Sequence, residues 1–242
     1  MIILDQLDKV YAFLKTRLYK RKKRRLLRVM TTTYNVTKYG NDYGGFYVYD
    51  DSLRRSSHTI VYSFGIGTDL SFSEAILEKL RGAIIYAFDP TPKSIDYVKN
   101  HSLNSNPRFR FCSFGLSDVD GTEKFYLPRN DNYVSGSIEH RGDLNNEAVI
   151  VDMRSLASIA KDNNHSHIDL LKMDIEGSEF KVIESFRNCN VTIDQICVEI
   201  HDRFFADGLQ RLGKMLQTLR SLGYILISVS EGLDEVTFIK SR

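Results

Sequence analysis

Residues 168–182 read IDLLKMDIEGSEFKV, an apolar run that reaches a carboxylate, passes a second acid and a glycine, and opens into a helical pattern. Mostly apolar residues ending on Asp174 suit a strand buried on both faces of a parallel sheet, whose C-terminal edge faces the ligand crevice. Gly177 allows a sharp turn, and Ser178 and Glu179 suit the first turn of a helix carrying Phe180, Ile183 and Phe186. The expectation is a sheet edge with Asp174 at its lip.

The same alternation runs in both directions from this stretch. Downstream, residues 193–200 form a strand ending in Glu199-Ile200-His201-Asp202, and residues 209–222 form a helix closed by Gly223. Runs 224–230 (YILISVS) and 235–240 (EVTFIK), separated by Glu-Gly-Leu-Asp, carry a hairpin signal. Nearer, 148–153 (AVIVDM) is a strand with a short helix after it, 155–161, while 129–147 is a polar segment suited to a substrate loop. Upstream, TIVYSF (59–64) is a strand, GIGTD (65–69) a turn, and 71–81 a helix with Phe72, Ala75, Ile76 and Leu80 inward. AIIYAF (83–88) is a second strand ending on Asp89, a helix spans 90–100, and 109–114 is a third strand. Strand, glycine turn, helix, strand and terminal acid make the first half of a nucleotide-binding βαβ unit.

The turn chemistry narrows the ligand. Glycines let the backbone approach it, and Asp89 can accept hydrogen bonds from both hydroxyls of a ribose. The third glycine of the dinucleotide fingerprint is missing, and Asp69 near its place would repel phosphates. A ribose-bearing ligand with no phosphate and a cationic end fits better, and S-adenosylmethionine (SAM) has those properties. Tyr43-Gly44-Gly45, between further tyrosines, suits either a closing loop or an ordinary turn.

Length and charge set the frame. At 242 residues with 42% hydrophobic and 26% charged, the chain can bury one sizeable core. Net charge is +2, yet residues 1–30 hold ten Lys/Arg against two Asp, a basic arm on a mildly acidic body. The expected division is a helical extension, 1–30, before a single domain, 31–242. Ile3, Leu7, Val10, Leu14 and Leu18 recur at helical spacing and run into KRKKRRLLR (20–28). An anionic membrane surface or self-association suits that arm as well as a solvated helix end does. No aromatic residue interleaves with the cations, so no specific nucleic acid is expected. Cys112, Cys189 and Cys197 show neither zinc nor disulfide spacing, and no run reaches the roughly 18 apolar residues of a membrane span. A soluble cytoplasmic protein follows, with peripheral membrane attachment as the alternative.

Taken together, VYSFGIGTDLSFSEA, IYAFDPTP, FGLSDVDG, LLKMDIEGSE and ICVEIH resemble the FkbM-type SAM-dependent methyltransferases, over roughly residues 35–240. The resemblance implies a Rossmann-like class I methyltransferase fold, α/β, with a mostly parallel seven-stranded sheet and a C-terminal antiparallel hairpin. It implies SAM as donor and O-methylation, commonly of sugar or polyketide hydroxyls. Gly65, Gly67 and Asp69 would line the methionine end of SAM, Asp89 with Pro90 the ribose, and Gly115-Leu116 the adenine, with Asp174 at the reacting end. Many members carry an acid two residues before the first glycine; here it is Ser63, which passes that contact to Asp69 or the Tyr43-Gly44-Gly45 loop.

A sugar hydroxyl needs a base or a metal to lose its proton at neutral pH. Asp174, His201 and Glu176 are the expected catalytic groups. Asp174 with Glu199, at neighbouring strand ends, would hold a divalent cation, Mg or Mn, as an optional cofactor. A carbohydrate or glycan is the expected acceptor. The alternatives are a small-molecule or lipid hydroxyl, or a non-catalytic module working through the basic arm.

Overall fold

A computed structural model describes residues 2–28, 34–51, 53–128 and 144–241. The chain begins with helix α1 (Ile2–Leu26) and a small hairpin, β1 (Thr37–Tyr39) and β2 (Phe46–Val48). The nucleotide-type unit follows as β3 (Thr59–Phe64), α2 (Ser71–Lys79), β4 (Ala83–Phe88), α3 (Pro92–Lys99) and β5 (Phe109–Cys112). Then come β6 (Gly115–Ser117), β7 (Gly121–Pro128), β8 (Leu144–Ser155) and α4 (Leu156–Asp162). The second half is β9 (His167–Met173), α5 (Glu179–Ser185), β10 (Thr192–Glu199), α6 (Gly208–Ser221), β11 (Tyr224–Val229) and β12 (Glu235–Lys240).

Seven strands form one sheet in the order β11-β12-β10-β9-β3-β4-β5. β12 runs antiparallel to both its neighbours, and the other adjacent pairs are parallel. This is the expected class I arrangement with its C-terminal hairpin. Strand order reverses between β3 and β9, so the crevice opens where Gly65 leaves β3 and Asp174 leaves β9.

Period-two alternation sorts even these doubly buried strands. Tyr62, Phe64, Phe88, Leu171, Met173 and Val198 share one core, with Val182 of α5 and Leu212 of α6. Val61, Ile85, Ala87, Leu170 and Cys197 point the other way, into a core with Ile76 of α2 and Phe46 of the hairpin. Phe64 and Phe88 stack with centroids 4.3 Å apart beneath the cleft.

The expected strand at 148–153 lies within the longer β8, and β8 is not in the main sheet. It pairs with β6 and β7 in a separate three-stranded sheet, because the 118–121 turn folds β7 back antiparallel along it. The expected loop at 129–147 falls largely outside the described residues.

The N-terminal stretch is helical, as its spacing predicts. Leu14 and Leu18, two residues of the expected apolar face, are each 54% exposed; the side chains of residues 1–13 are not among those described. The seat of the helix is made by Lys23, only 3% exposed, whose Nζ lies 2.6 Å from Asp202 and 2.5 Å from Asp234. Tyr19 donates its hydroxyl to Asp202, and Leu27 is buried beside them. One cation of the basic run is therefore spent on fold, and Arg21, Lys22, Arg24, Arg25 and Arg28 face solvent.

Candidate active site

A cleft with about 930 Å³ of empty space, its open mouth included, lies over the C-terminal ends of β3, β4 and β9. Gly65, Gly67, Asp69, Asp89, Pro90, Gly115, Leu116, Asp174 and Glu176 all line it. Two carboxylates that sequence places 85 positions apart, Asp89 and Asp174, thus open into one cavity.

The floor is backbone held at close quarters. Gly65 has φ of +72°, and a Cβ there would sit 1.6 Å from the Asp174 carbonyl oxygen, so no other residue fits. Gly67, φ +52°, donates its N–H to Asp89 Oδ2 at 2.9 Å. Asp89 Oδ1 accepts from the Thr91 N–H at 2.9 Å and from the Thr91 hydroxyl at 2.6 Å. These bonds fix the carboxylate at the cleft wall; Oδ1 has both lone pairs engaged, and Oδ2, accepting one bond, keeps a further one.

Asp69 has a structural duty as well. Its Oδ1 accepts from the Ser71 N–H at the start of α2, and its Oδ2 from Asn41 Nδ2 at 2.9 Å. Asn41 Oδ1 in turn accepts the N–H groups of Tyr43 and Gly44, both at 2.8 Å. A Cβ on Gly44 would come within 2.7 Å of the Asp69 carboxylate, so the hairpin loop is drawn down onto the glycine turn. The loop borders the cleft with Tyr43 73% exposed.

Lys172 is a cleft residue that the sequence reading passed over. It is 4% exposed, donates to the Gly65 carbonyl at 2.6 Å, and stands 3.7 Å from Asp174 Oδ2. Its signal was present: a lysine within a run that otherwise buries on both faces needs a partner. Directly across the β3–β9 ladder lies Ser63, the position where an acid was expected. At the other end, Phe125 of β7 and Met153 of β8 close an apolar wall with Leu116 and Pro90. Those two come from the small sheet, and no local pattern announces them.

At the reacting end the chain turns through two left-handed residues, Glu176 (φ +53°) and Gly177 (φ +105°). Such a conformation is costly for glutamate and directs its carboxylate toward Asp174 and His201. Glu179 is fully buried: Oε2 accepts from the Gly177 N–H at 2.9 Å, and Oε1 from the His201 N–H at 2.8 Å. It clamps the β9–α5 turn to the end of β10.

His201 is 1% exposed and sits behind the cleft wall, with Nε2 at 3.7 Å from Asp174, 3.6 Å from Glu176 and 3.4 Å from Glu199. Direct contact with an acceptor, as expected of a base, is blocked by those carboxylates. Burial pushes the Asp174 carboxyl up to about 7, Glu199 and Glu176 adding to the rise and Lys172 and His201 opposing it. Burial works against the charge on Glu199 too, but His201 and Arg203 hold it down to about 2. His201 is raised well above its ordinary value despite burial, by Glu179, Glu199 and Glu176. The carboxylate–imidazole group at metal-ligand spacing is Asp174, Glu176 and His201, within 4.8 Å of one another. Glu199, expected to pair with Asp174, is engaged by Arg203 at 3.3 Å.

The residues present suit SAM. A glycine turn with no room for a Cβ at Gly65, a fixed carboxylate with a lone pair left on Asp89 Oδ2 and an apolar slot meet in one cleft. Among solved structures, the chain is similar to that of a fibrillarin/Nop5p complex at 10% identity, covering 77% of this chain and 74% of that one, TM-score 0.47. It is similar also to precorrin-6y C5,15-methyltransferase from Geobacter metallireducens GS-15 at 12%, covering 78% and 84%, TM-score 0.41. A third is Aeropyrum pernix fibrillarin with natively bound S-adenosyl-L-methionine, at 12%, covering 88% and 85%, TM-score 0.42. Likenesses this remote carry nothing about acceptor or reaction. No curated protein matches the chain. The family model of the methyltransferase FkbM domain does match, over residues 59–226, from the first strand of the glycine-turn unit into β11. The chain belongs to the FkbM family of SAM-dependent methyltransferases.

Proposed function

We propose that this methyltransferase acts on oxygen, transferring a methyl group to a hydroxyl of a carbohydrate or glycan. The observation that carries this is the single cleft: Asp174 and Glu176 open into the same cavity as the donor cradle of Gly65, Gly67 and Asp89. Polyhydroxylated acceptors offer donors to those two carboxylates, and an acceptor held by both is oriented as well as bound.

Gly65 and Gly67 would hold the methionine end of the donor by backbone approach, Asp89 the ribose, and Leu116 with Phe125 and Met153 the adenine. Lys172 is placed to bind the donor's carboxylate, and Asp69 to attract its ammonium. SAM, when bound, supplies a methyl group already activated by its sulfonium. The protein must then place the acceptor oxygen and take its proton. Asp174, partly open to the cleft and backed by Lys172 and His201, is the group placed to accept that proton.

Calorimetry with SAM tests the donor half: the wild type binds one equivalent and Asp89→Ala loses at least tenfold in affinity. Incubation with methyl-labelled SAM and a panel of glycans tests the acceptor half. Label on a carbohydrate oxygen, abolished by Asp174→Asn with SAM binding retained, is the expected result. Label found only on nitrogen, or on protein or nucleic acid, would overturn it.

A further inference from the structure

We propose that Asp174, Glu176 and His201 form a divalent-cation site in the wall of the cleft. The site itself stands on geometry; only its use, holding an acceptor hydroxyl, rests on the O-methyltransfer reading.

His201 is 1% exposed, and its Nδ1 forms no hydrogen bond. Its Nε2 is surrounded by carboxylate oxygens of Glu199, Glu176 and Asp174 at 3.4, 3.6 and 3.7 Å. A charged imidazole donating to one of them would draw it to about 2.8 Å. Instead all three stand off together. Ligand atoms each about 2.1 Å from one cation lie about 3.0–3.4 Å apart, depending on geometry; the two separations from His201 need a contraction of only a few tenths of an ångström, and the three ligand atoms all lie within 4.8 Å of one another.

The surroundings match a ligand set. Nδ1 faces Glu179, a carboxylate locked by two backbone N–H groups, at 3.5 Å without a hydrogen bond, and a ring turned toward a cation would have that carboxylate on the side where a metal-bound histidine finds its second partner. Glu176 reaches the cluster through a left-handed backbone. Glu199 is braced by Arg203 at the margin. A second group of this kind, His167, Asp169 and Asp194, lies at the opposite edge of the sheet, with His167 44% and Asp194 53% exposed. Their spacing is as tight as that of the cleft group, and what separates the two is burial: the His167 ring and the Asp194 carboxylate are open to solvent, whereas His201 is enclosed.

One imidazole and two carboxylates suit a hard or borderline ion such as Mn²⁺ or Mg²⁺. Asp174 and Glu176 line the cleft, so the remaining coordination positions face the acceptor. A vicinal diol could occupy two of them, and its hydroxyl would lose a proton more readily there.

The test is a Mn²⁺ titration of the full chain after chelator treatment, followed by electron paramagnetic resonance. One ion per chain is expected, with nitrogen coupling from a coordinated imidazole, and at least tenfold weaker binding in His201→Gln and in Asp174→Asn. Asp194→Asn should leave binding unchanged. A wild type with no saturable Mn²⁺ binding, a spectrum without nitrogen coupling, or binding that survives His201→Gln overturns the proposal. The wild-type spectrum decides alone should that variant not fold. Calorimetry with SAM on the same samples separates the two claims, since donor binding without metal binding removes the ion and leaves the methyltransferase.

Discussion

Gly65 shows how little freedom the site leaves a single residue. Its backbone is left-handed, and the Asp174 carbonyl oxygen lies 1.6 Å from where a Cβ would stand, so Gly65→Ala forces β3 and β9 apart. We expect a loss of at least about 3 kcal/mol in urea unfolding, from strain and overpacking together, and no measurable SAM binding by calorimetry. Glu179 is the complementary case, a buried acid whose partners are backbone N–H groups. Glu179→Gln keeps one acceptor oxygen where two are used, leaving an N–H without its bond. The expected cost is about 1–3 kcal/mol in urea unfolding, and methyl transfer should fall further than SAM affinity does, since the damage is to the His201 side of the cleft.

Helix α1 is seated by buried charges, and the β1–β2 hairpin by Tyr39, Phe46 and Val48 in the core together with an ion pair beside them. Lys23→Met removes the cation between Asp202 and Asp234 and leaves Asp202, wholly buried, without its counter-charge. The expected cost is about 3–5 kcal/mol by urea unfolding, with α1 newly open to protease. Neutralising Arg21 or Arg25, both exposed, should change stability by less than about 0.5 kcal/mol. The hairpin is anchored by Asp50, which accepts from the Tyr39 hydroxyl at 2.8 Å and pairs with Arg54 at 2.7 Å. Burial opposes its charge, yet Arg54 and Tyr39 hold the carboxyl below the usual range. A folded value below the unfolded one contributes stability that is fully present above the unfolded value, near 3.9, and lost as pH falls through the folded one. Urea midpoints measured from pH 5 down to pH 2.5 should therefore fall more steeply in the wild type than in Asp50→Asn.

For the molecule as a whole, the donor cleft is assembled from the main sheet, the small sheet and the hairpin loop, so a bound donor reports on all three. At a hundredfold excess over its dissociation constant, SAM should stabilise the native state by about 2.7 kcal/mol. For a chain of this length that is roughly 5–10 °C in Tm, read by calorimetric scanning. Asp89→Ala should lose the shift.

Much of this architecture is local and therefore readable along the chain. The short, almost wholly buried apolar runs TIVYSF and AIIYAF, the glycines after β3 and the acids closing β4 and β9 are consequences of backbone geometry within a few residues, and they determine the sheet, its crevice and the donor cradle. Other features depend on distant partners that no local pattern names. Lys172 meets Gly65, Lys23 meets Asp202 and Asp234, Phe125 and Met153 reach the cleft from a separate sheet, and His201 comes to lie behind Asp174 and Glu176. Sequence alone determined the fold and which residues edge the crevice, because alternation and turn conformation are properties of short segments. Only the tertiary structure decided which buried charges face one another, because a charge is matched through space by whatever the packing brings beside it.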